Sequence, residues 1–269
     1  MKIFISLNST YKIDYLLHLA DNSLILGHRN SEWCAHGPVL EQDIAITNIA
    51  LDLIGQARNF YQYAAHLINE PASSPSFGEG KEKASEDTLA YLRDRYEFKN
   101  CLLIEQPNGD WAKTILRQFL FSAYQSFLFE ELKKSKDSQL AAIAEKSLKE
   151  VTYHLRWSSE WVIRLGDGTE ESHQRMVKAV DELWPYSGEL FDATSYEQRA
   201  AKEGFGVEPS SLKTKWQEKV TEIFSEATLA YPKSVLQQAG GKEGRHTENL
   251  GKILAELQFM QRTYPDSVW

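Results

Sequence analysis

The stretch Lys149-Glu150-Val151-Thr152-Tyr153-His154 decides the fold, because it places a histidine on the apolar stripe of a long predicted helix. The inner side of that helix, which runs from Asp137 to Leu165, is made of Leu140, Ile143, Ala144, Leu148, Val151, Leu155 and Val162. In helical bundles that bind metal, such a histidine usually has a carboxylate three residues before it, on the same face. Val151 occupies that position here. The stretch therefore predicts a helical bundle whose metal site lacks a donor.

The rest of the chain shows the same helical period, and no alternating strand pattern competes with it. Further helices are predicted over residues 10–29, 39–69, 111–134 and 170–191, from Ser210 or Ser211 to 229, and over 247–262. Gly166-Asp167-Gly168 is a strong helix stop. Loops are predicted at 71–82, where PASSPSFGEGKE indicates mobility, and at 203–209 and 231–245. We predict one all-α domain covering residues 1–269, with four core helices and additional C-terminal helices.

Two of these helices have more apolar surface than one inner face needs. The helix over 39–69 has an apolar stripe, and a second apolar row beside it consists of Leu40, Ile44, Leu51 and Ile54. This pattern predicts a helix at the centre of the bundle. The helix over 111–134 has aromatic residues round its circumference, namely Phe119, Phe121, Tyr124, Phe127 and Phe129. They serve either the core or a helix-on-helix interface with a partner.

Composition excludes several classes of function. The chain has 269 residues, 42% of them hydrophobic, and a formal net charge of -8, with no dense Lys/Arg cluster that would favour nucleic acid. Cys34 and Cys101 form no C-x-x-C pair, so neither a disulfide framework nor a zinc site is expected, and a reducing cytoplasm is the predicted compartment. Polar residues interrupt the first seventeen residues, so we predict no targeting segment and no membrane span. Nucleophile-elbow, kinase and P-loop signatures are absent from the sequence.

The glycine-rich segment Gly240–His246 permits two interpretations. Its basic and histidine residues, Lys242, Arg245 and His246, could bind a phosphate or a CoA tail, helped by backbone N–H groups before a helix. The alternative is a flexible loop that ends in a helix N-cap at Thr247. Cys34 and His36 offer two further potential metal ligands, but they lack a second pair.

A polar stripe on the helix over 39–69 is equally open to interpretation. It consists of Asn48, Asp52, Gln56 and Asn59, at helical spacing. The stripe is either exposed to solvent, a hydrogen-bonded seam against another helix, or the lining of a former metal pocket. His154 is likewise either a core histidine satisfied by its neighbours or a metal ligand.

Several longer motifs resemble a known family. They are residues 27–38 (GHRNSEWCAHGP), 48–59 (NIALDLIGQARN), 103–110 (LIEQPNGD), 153–156 (YHLR) and 240–250 with Leu254-Ala255-Glu256. Over about residues 15–269 the chain is similar to the structural C subunits of bacterial phenylacetyl-CoA epoxidase, also called phenylacetate-CoA oxygenase. These complexes act in aerobic phenylacetate degradation, a branch of aromatic compound catabolism.

The resemblance implies a ferritin-like fold related to that of the catalytic subunit, whose di-iron pocket uses a carboxylate, E-x-x-H, a second carboxylate and a second E-x-x-H. In this chain the matching positions are Ser23, Asp52 with Gly55, Ser122, and Val151 with His154. Only Asp52 and His154 could still bind metal, and we expect them to hydrogen-bond or pair with each other. A di-iron centre needs about four carboxylates and two histidines to neutralise its charge. We therefore expect no metal, cofactor or catalytic residue in this chain.

The function implied by the resemblance is that of a structural subunit in a multicomponent monooxygenase. It would bind and support the di-iron catalytic subunit, together with other subunits and a reductase, and would not be catalytic alone. A homodimer is possible when the chain is isolated, and neither nucleic acid nor membrane is an expected partner. The first alternative is an active di-iron oxygenase or iron-binding ferritin relative that uses Asp43, Glu130, Glu150 or Asp181. The second is a module that binds a CoA ester through the Gly240–His246 segment.

Overall fold

The fold is entirely helical over the part of the chain that the computed structural model describes, residues 10–70, 83–233, 235–265 and 267. In chain order the α-helices are α1 (Thr10–Ser31), α2 (Leu40–Asn69), α3 (Glu86–Tyr91), α4 (Leu102–Glu105), α5 (Trp111–Leu132), α6 (Ser138–Gly166), α7 (Glu170–Leu183), α8 (Ser195–Glu203), α9 (Lys213–Glu226), α10 (Glu248–Leu257) and α11 (Phe259–Thr263). Short 3-10 helices lie at Arg95–Glu97, Trp184–Tyr186, Gly188–Phe191, Pro209–Leu212 and Gly241–Glu243. The prediction of an all-α fold is confirmed.

Four long helices form the core as two hairpins. Helix α1 packs along α2, and α5 packs along α6, with a short connection inside each pair. The hairpins meet along α2 and α6, while α7 and α9 cover α5 and α6, and α8 packs on α1. This arrangement matches the prediction of four core helices with additional C-terminal ones.

Aspartate side chains cap the N-termini of α5 and α6 at the positions where the sequence predicts that these helices begin. The Asp110 carboxylate accepts a hydrogen bond from the Lys113 N–H at the start of α5, at 3.0 Å. Asp137 does the same for the Leu140 N–H at the start of α6, also at 3.0 Å. Helix α6 ends at Gly166, as predicted, and a Cβ there would collide with the carbonyl oxygen of Ala227. Gly166 therefore permits the close approach of the chain after α9.

Helix α5 is covered by other helices over most of its surface. Its aromatic residues Phe119, Phe121, Tyr124 and Phe129 are all buried, at 0–1% exposure, and Phe127 is half-buried. The neighbours that cover them include α6, α7 and α9. Of the two uses predicted for these aromatic residues, the structure assigns core packing, because the C-terminal helices cover the face that a partner helix would need.

Helix α2 is not buried all round, which corrects the expectation that it lies at the centre. Its predicted inner stripe is buried, namely Ile46, Ile49, Leu53, Ala57, Phe60, Ala64 and Ile68. The second apolar row faces outward, with Leu40 71% exposed and Leu51 62% exposed. No helix of the described chain covers this side, so the surplus apolar surface is solvent-facing.

Several predicted boundaries need correction. Helix α7 stops at Leu183 and not at residue 191, because Pro185 lacks an N–H and its ring would clash with the carbonyl four residues earlier. Helices α3, α4 and α8 were not predicted. The final predicted helix is divided into α10 and α11 at Gln258. Thr247 caps α10, as predicted, by accepting a hydrogen bond from the Asn249 N–H.

The predicted loop at 71–82 lies outside the described residues, as do residues 1–9. In the described ranges, no helix is both long and apolar enough to cross a membrane.

Candidate functional site

The six pocket positions implied by the resemblance lie on the four core helices, but they do not all face the interior. Fully buried, with 0% exposure, are Ser23, Ser122, Val151 and His154. Asp52 is half-buried, with 37% of its side chain exposed, and Gly55 is exposed.

The assignment of Gly55 to the interior is wrong. A Cβ built on Gly55 would meet nothing within 4 Å, because the residue faces open space. The inner stripe of α2 passes through Leu53, and a residue two positions later is rotated by about 200° round the helix. Gln56, which is 1% exposed, takes the inner position instead. Asp52 and Gly55 therefore do not form a pair of inward-facing ligand positions.

The two serines at former carboxylate positions have local hydrogen bonds. The Ser23 hydroxyl donates to the Leu19 carbonyl at 3.1 Å, one turn earlier in α1. The Ser122 hydroxyl accepts from the Gln118 side-chain amide at 2.8 Å, and the Gln118 oxygen accepts from Asn30 on α1 at 2.7 Å. A chain of neutral side chains thus links α1 to α5 where charged metal ligands would be required.

Asp52 and His154, the two remaining possible donors, contact each other as expected. The His154 Nε2 atom lies 2.9 Å from Asp52 Oδ2, and this contact bridges α2 and α6. The other ring nitrogen, Nδ1, is buried without a hydrogen-bond partner. The pair is therefore a link between two helices, with one ring nitrogen unsatisfied in the interior.

Four further hydrogen bonds lie along the junction of α2 and α6. Gln56 donates to Glu150 at 2.9 Å. The indole N–H groups of Trp157 and Trp161 both donate to the Gln42 oxygen, at 3.1 and 2.7 Å. Near the other end, the Tyr63 hydroxyl donates to Asp137 at 2.7 Å. Of the three interpretations of the polar stripe, the structure supports the hydrogen-bonded seam for Asp52 and Gln56. Asn48 is instead exposed to solvent.

Buried carboxylates exist elsewhere in the described chain, and the sequence analysis identified none of them. They are Asp21, Glu105, Glu189 and Glu197, each at most 2% exposed. A buried carboxylate is costly unless it is paired or hydrogen-bonded. The partners of each one therefore decide whether it could serve a metal.

Asp21 on α1 is neutralised by an arginine. Its carboxylate forms an ion pair with Arg93 and accepts the Tyr61 hydroxyl at 2.5 Å. The backbone N–H of Lys99 donates to it at 2.7 Å. Burial raises the pKa of Tyr61 well above its ordinary value, and the negative Asp21 raises it further, so Tyr61 keeps its proton. A guanidinium group thus takes the place that a metal ion would need beside this carboxylate.

Glu197 on α8 is paired with Lys242. The Lys242 Nζ atom lies 2.9 Å from Glu197 Oε1 and also donates to the Asp192 carbonyl at 3.0 Å. Burial alone would raise the pKa of Glu197, but the charges and hydrogen bonds around it, the Lys242 ammonium first among them, together hold the pKa below its ordinary value. Burial would lower the pKa of Lys242, but the negative groups around it, Glu197 first among them, together raise the pKa above its ordinary value. Both groups are therefore charged at neutral pH.

His18 on α1 lies beside this pair in its neutral form. Burial lowers the pKa of His18 by more than the Glu197 carboxylate, 3.6 Å away, raises it. The Nδ1 atom lies 2.7 Å from the Lys99 carbonyl oxygen, which can only accept, so the proton sits on Nδ1. Lys242 is therefore the counter-charge of Glu197.

Glu105 at the end of α4 collects four donors. Its oxygens accept from the Thr247 N–H and hydroxyl, both at 2.7 Å, and from Asn100 at 2.9 Å. The His246 Nδ1 atom lies 2.8 Å away, while His246 Nε2 lies 2.9 Å from the Phe98 carbonyl. His246 is thus enclosed by acceptors within the protein.

Glu189 binds the backbone of the glycine-rich segment. It accepts from the N–H groups of Gly240 and Lys242, at 2.8 and 3.3 Å, and from the Leu102 N–H at 2.7 Å. Burial raises the pKa of Glu189 despite these donors. The N–H groups that were candidates for a phosphate are therefore already occupied by an internal carboxylate.

The phosphate interpretation of Gly240–His246 needs correction for two of its three side chains. Lys242 is 2% exposed and committed to Glu197, and the His246 ring is enclosed as described. Only Arg245 is at the surface, where it pairs with Glu243 at 2.6 Å. Hydrogen bonds and an ion pair hold the segment against α4, the 3-10 helix Gly188–Phe191 and α8, so it is not a free loop.

The carboxylates of the di-iron alternative are dispersed. Asp43 accepts from the Gly37 N–H at 2.9 Å, Glu130 pairs with Lys133 at 2.6 Å, Glu150 accepts from Gln56, and Asp181 is exposed. Among the described residues there is no group of three or more His, Cys, Asp or Glu side chains placed to hold a metal ion. The residues present in the bundle interior do not fit a di-iron centre.

The missed carboxylates left signals in the sequence. Asp21 lies on the same helical face as Leu17 and Ile25, one turn away on either side, and Glu105 directly follows the apolar run Leu102-Leu103-Ile104. A charged residue in such surroundings predicts an internal partner. Thr194 and Glu197 form a capping box, which would also have identified α8.

Comparisons with known proteins agree with the resemblance seen in the sequence. The profile of the family described as phenylacetic acid catabolic protein matches residues 5–269. The chain is 48% identical over 255 residues to the C subunit of the 1,2-phenylacetyl-CoA epoxidase of Escherichia coli (strain K12). That alignment covers 95% of this chain and 98% of the relative.

Proposed function

The chain belongs to the phenylacetic acid catabolic protein family, and from this premise we propose that it is the non-catalytic C subunit of a phenylacetyl-CoA epoxidase. In this proposal it binds and supports a separate catalytic subunit that carries the di-iron centre. Other subunits and a reductase complete the complex, which acts in phenylacetate degradation. This chain supplies no cofactor of its own.

One observation carries the proposal. The likeness to a C subunit extends over 95% of the chain, whereas the buried carboxylates among the described residues leave none unoccupied for a metal. Each buried carboxylate in the described ranges is already engaged, Asp21 by Arg93, Glu197 by Lys242, Glu105 by His246 and Glu189 by backbone N–H groups. A di-iron site requires carboxylates whose charge is left for the ions.

The proposed role follows from the chemistry of this interior. Its buried carboxylates are engaged by side chains and backbone N–H groups of the same chain, so the bundle can serve as a packing partner without a prosthetic group. Activation of O2 and attack on the aromatic ring belong to the catalytic subunit. Both cysteines are free thiols, which suits the cytoplasm as the proposed compartment.

The first test is co-purification with reconstitution of activity. We expect the chain to elute with the catalytic subunit of the same organism in a fixed ratio, and the catalytic subunit to lose most of its turnover or solubility without it. A catalytic subunit that is fully active and stable alone would refute the support role.

The second test separates this proposal from an active di-iron protein. Anaerobic titration with Fe(II), run in parallel on the catalytic subunit, should show saturable uptake of iron only by the latter. Uptake of two irons by this chain would overturn the proposal. The variant His154→Leu serves as the control, because it removes one of the two possible ligands.

A further inference from the structure

An exposed row of apolar residues runs along the outer side of α2. It consists of Leu40, Ile44, Leu51 and Ile54, which we call the apolar row, and the half-buried Thr47 lies between Ile44 and Leu51. Its large members are 71% (Leu40), 52% (Ile44), 62% (Leu51) and 41% (Ile54) exposed. At roughly 100° per residue the four side chains fall within an arc of about 80°. They form a continuous strip and not scattered surface residues.

The spacing of the apolar row indicates what kind of element fits it. The intervals between its members are four, seven and three residues, which are spacings of the heptad pattern by which one α-helix packs along another. The row covers about 21 Å of helix axis, enough for a partner helix of about four turns. The matching partner is therefore an amphipathic α-helix.

The charges beside the apolar row indicate the chemistry of that helix. Three carboxylates flank it, Glu41, Asp43 and Asp52, and no lysine or arginine lies between Asn30 and Ala57. A partner helix with lysine or arginine on either side of its own apolar strip would be complementary to this flank. Like charge on the partner would oppose docking.

A second copy of the chain does not satisfy this requirement. In a two-fold antiparallel pairing centred on Thr47, Glu41 of each copy would lie beside Asp52 of the other. Two pairs of carboxylates would then face each other along one edge of the apolar contact, which is unfavourable. A different chain with basic flanking residues suits the surface better than self-association does.

We propose that the apolar row of α2 docks an amphipathic, basic-flanked helix of the catalytic subunit. The inference rests on the proposed function, because the C subunit role requires an interface with that chain. It adds the surface used and the helix chemistry that fits it.

The test measures affinity for the catalytic subunit of the same organism. The double variant Leu40→Asp with Leu51→Asp places two charges in the apolar row, and both side chains are exposed, so the fold should be retained. Affinity should fall by more than about 100-fold, the loss typical of two central interface residues. The matched control is Leu236→Asp, at a leucine that is 84% exposed on another part of the surface, and its affinity should change by less than about threefold.

A second variant tests the charge argument without touching apolar packing. Glu41→Lys should slow association by about threefold or more at low salt, and the difference should vanish at high salt, where exposed charges are screened.

The outcomes are distinguishable. If the double variant binds as well as the wild type, the docking surface lies elsewhere, and the proposed function survives. If the wild type itself fails to bind the catalytic subunit, the proposed function and this inference both fall. If the wild type sediments as a homodimer that the double variant dissociates, a second copy occupies the row and the inference is overturned.

Discussion

Replacing Lys242 by methionine tests whether the buried ion pair holds the C-terminal part of the chain in place. The substitution keeps most of the volume but leaves the Glu197 carboxylate, 1% exposed, without its counter-charge, since His18 is neutral. Removing one partner of a buried pair usually costs about 3–5 kcal/mol. For a chain of this size that corresponds to a fall in the melting temperature of roughly 6–20 °C. Urea unfolding followed by circular dichroism gives the free energy directly.

The pH dependence of this loss has a defined sign. The pKa of Glu197 is depressed in the folded protein, so its contribution to stability is present above its ordinary pKa and is lost as pH falls through the folded value. The pKa of Lys242 is raised, so its contribution is present below its ordinary pKa and is lost as pH rises through the folded value. In Lys242→Met, acid protonates Glu197 and removes the unpaired charge. The difference from wild type should therefore be smaller near pH 5 than near pH 8.

A double-variant cycle completes the test. Glu197→Gln in the Lys242→Met background removes the orphaned charge and should restore more than half of the lost stability. The side-chain oxygen of a glutamine at this position can still accept the hydrogen bonds that Glu197 receives from Thr194. If the double variant is as unstable as the sum of the single variants, within about 0.5 kcal/mol, the two residues are energetically independent and the reasoning is refuted.

Three further predictions concern other parts of the chain. His154→Leu should change the free energy of unfolding by no more than about 1 kcal/mol, because a leucine fills the site and the partner carboxylate can be hydrated; a larger loss in thermal melting would assign the histidine a structural task. Gly166→Ala should destabilise by about 2 kcal/mol or more, because the added methyl group meets backbone. Gly251→Ala, with open space at its Cβ, should stabilise by about 0.5–1 kcal/mol, and equal effects would contradict the packing argument. Burial raises the pKa of the Cys101 thiol while Cys34 is exposed, so a thiol reagent should modify one cysteine in the native protein and both after denaturation.

The sequence predicted the long helices well, because each has an inner stripe and end signals that act locally. Asp110, Asp137 and Gly166 mark ends of α5 and α6 through contacts within a few residues. Helices α3 and α4 are too short to show an apolar stripe. Contacts with residues distant in sequence hold them in place, and a local pattern does not reveal such contacts. Which of α2 and α5 lies at the centre could not be read from apolar content, because both are apolar round their circumference.

The site was predicted only where the family resemblance supplied matching positions on two facing helices. The pairing of Asp52 with His154 followed from the expected register of α2 and α6, whereas Gly55 was misplaced through a rotation error on a single helix. The pairing of Asp21 with Arg93, or of Glu197 with Lys242, joins segments 72 and 45 residues apart. No local pattern specifies such a partner, so these ion pairs needed the fold.

The binding of Glu189 to three backbone N–H groups has a consequence for how the chain folds. The partners lie 87, 51 and 53 residues away along the sequence, so each hydrogen bond closes a long loop and gains nothing until that loop is ordered. The first hairpin can form while the chain is still being synthesised. The Glu189 carboxylate cannot accept all three hydrogen bonds before residue 242 has emerged from the ribosome. The contacts between Glu189 and the Gly240–His246 segment therefore form late, after the four core helices have been synthesised.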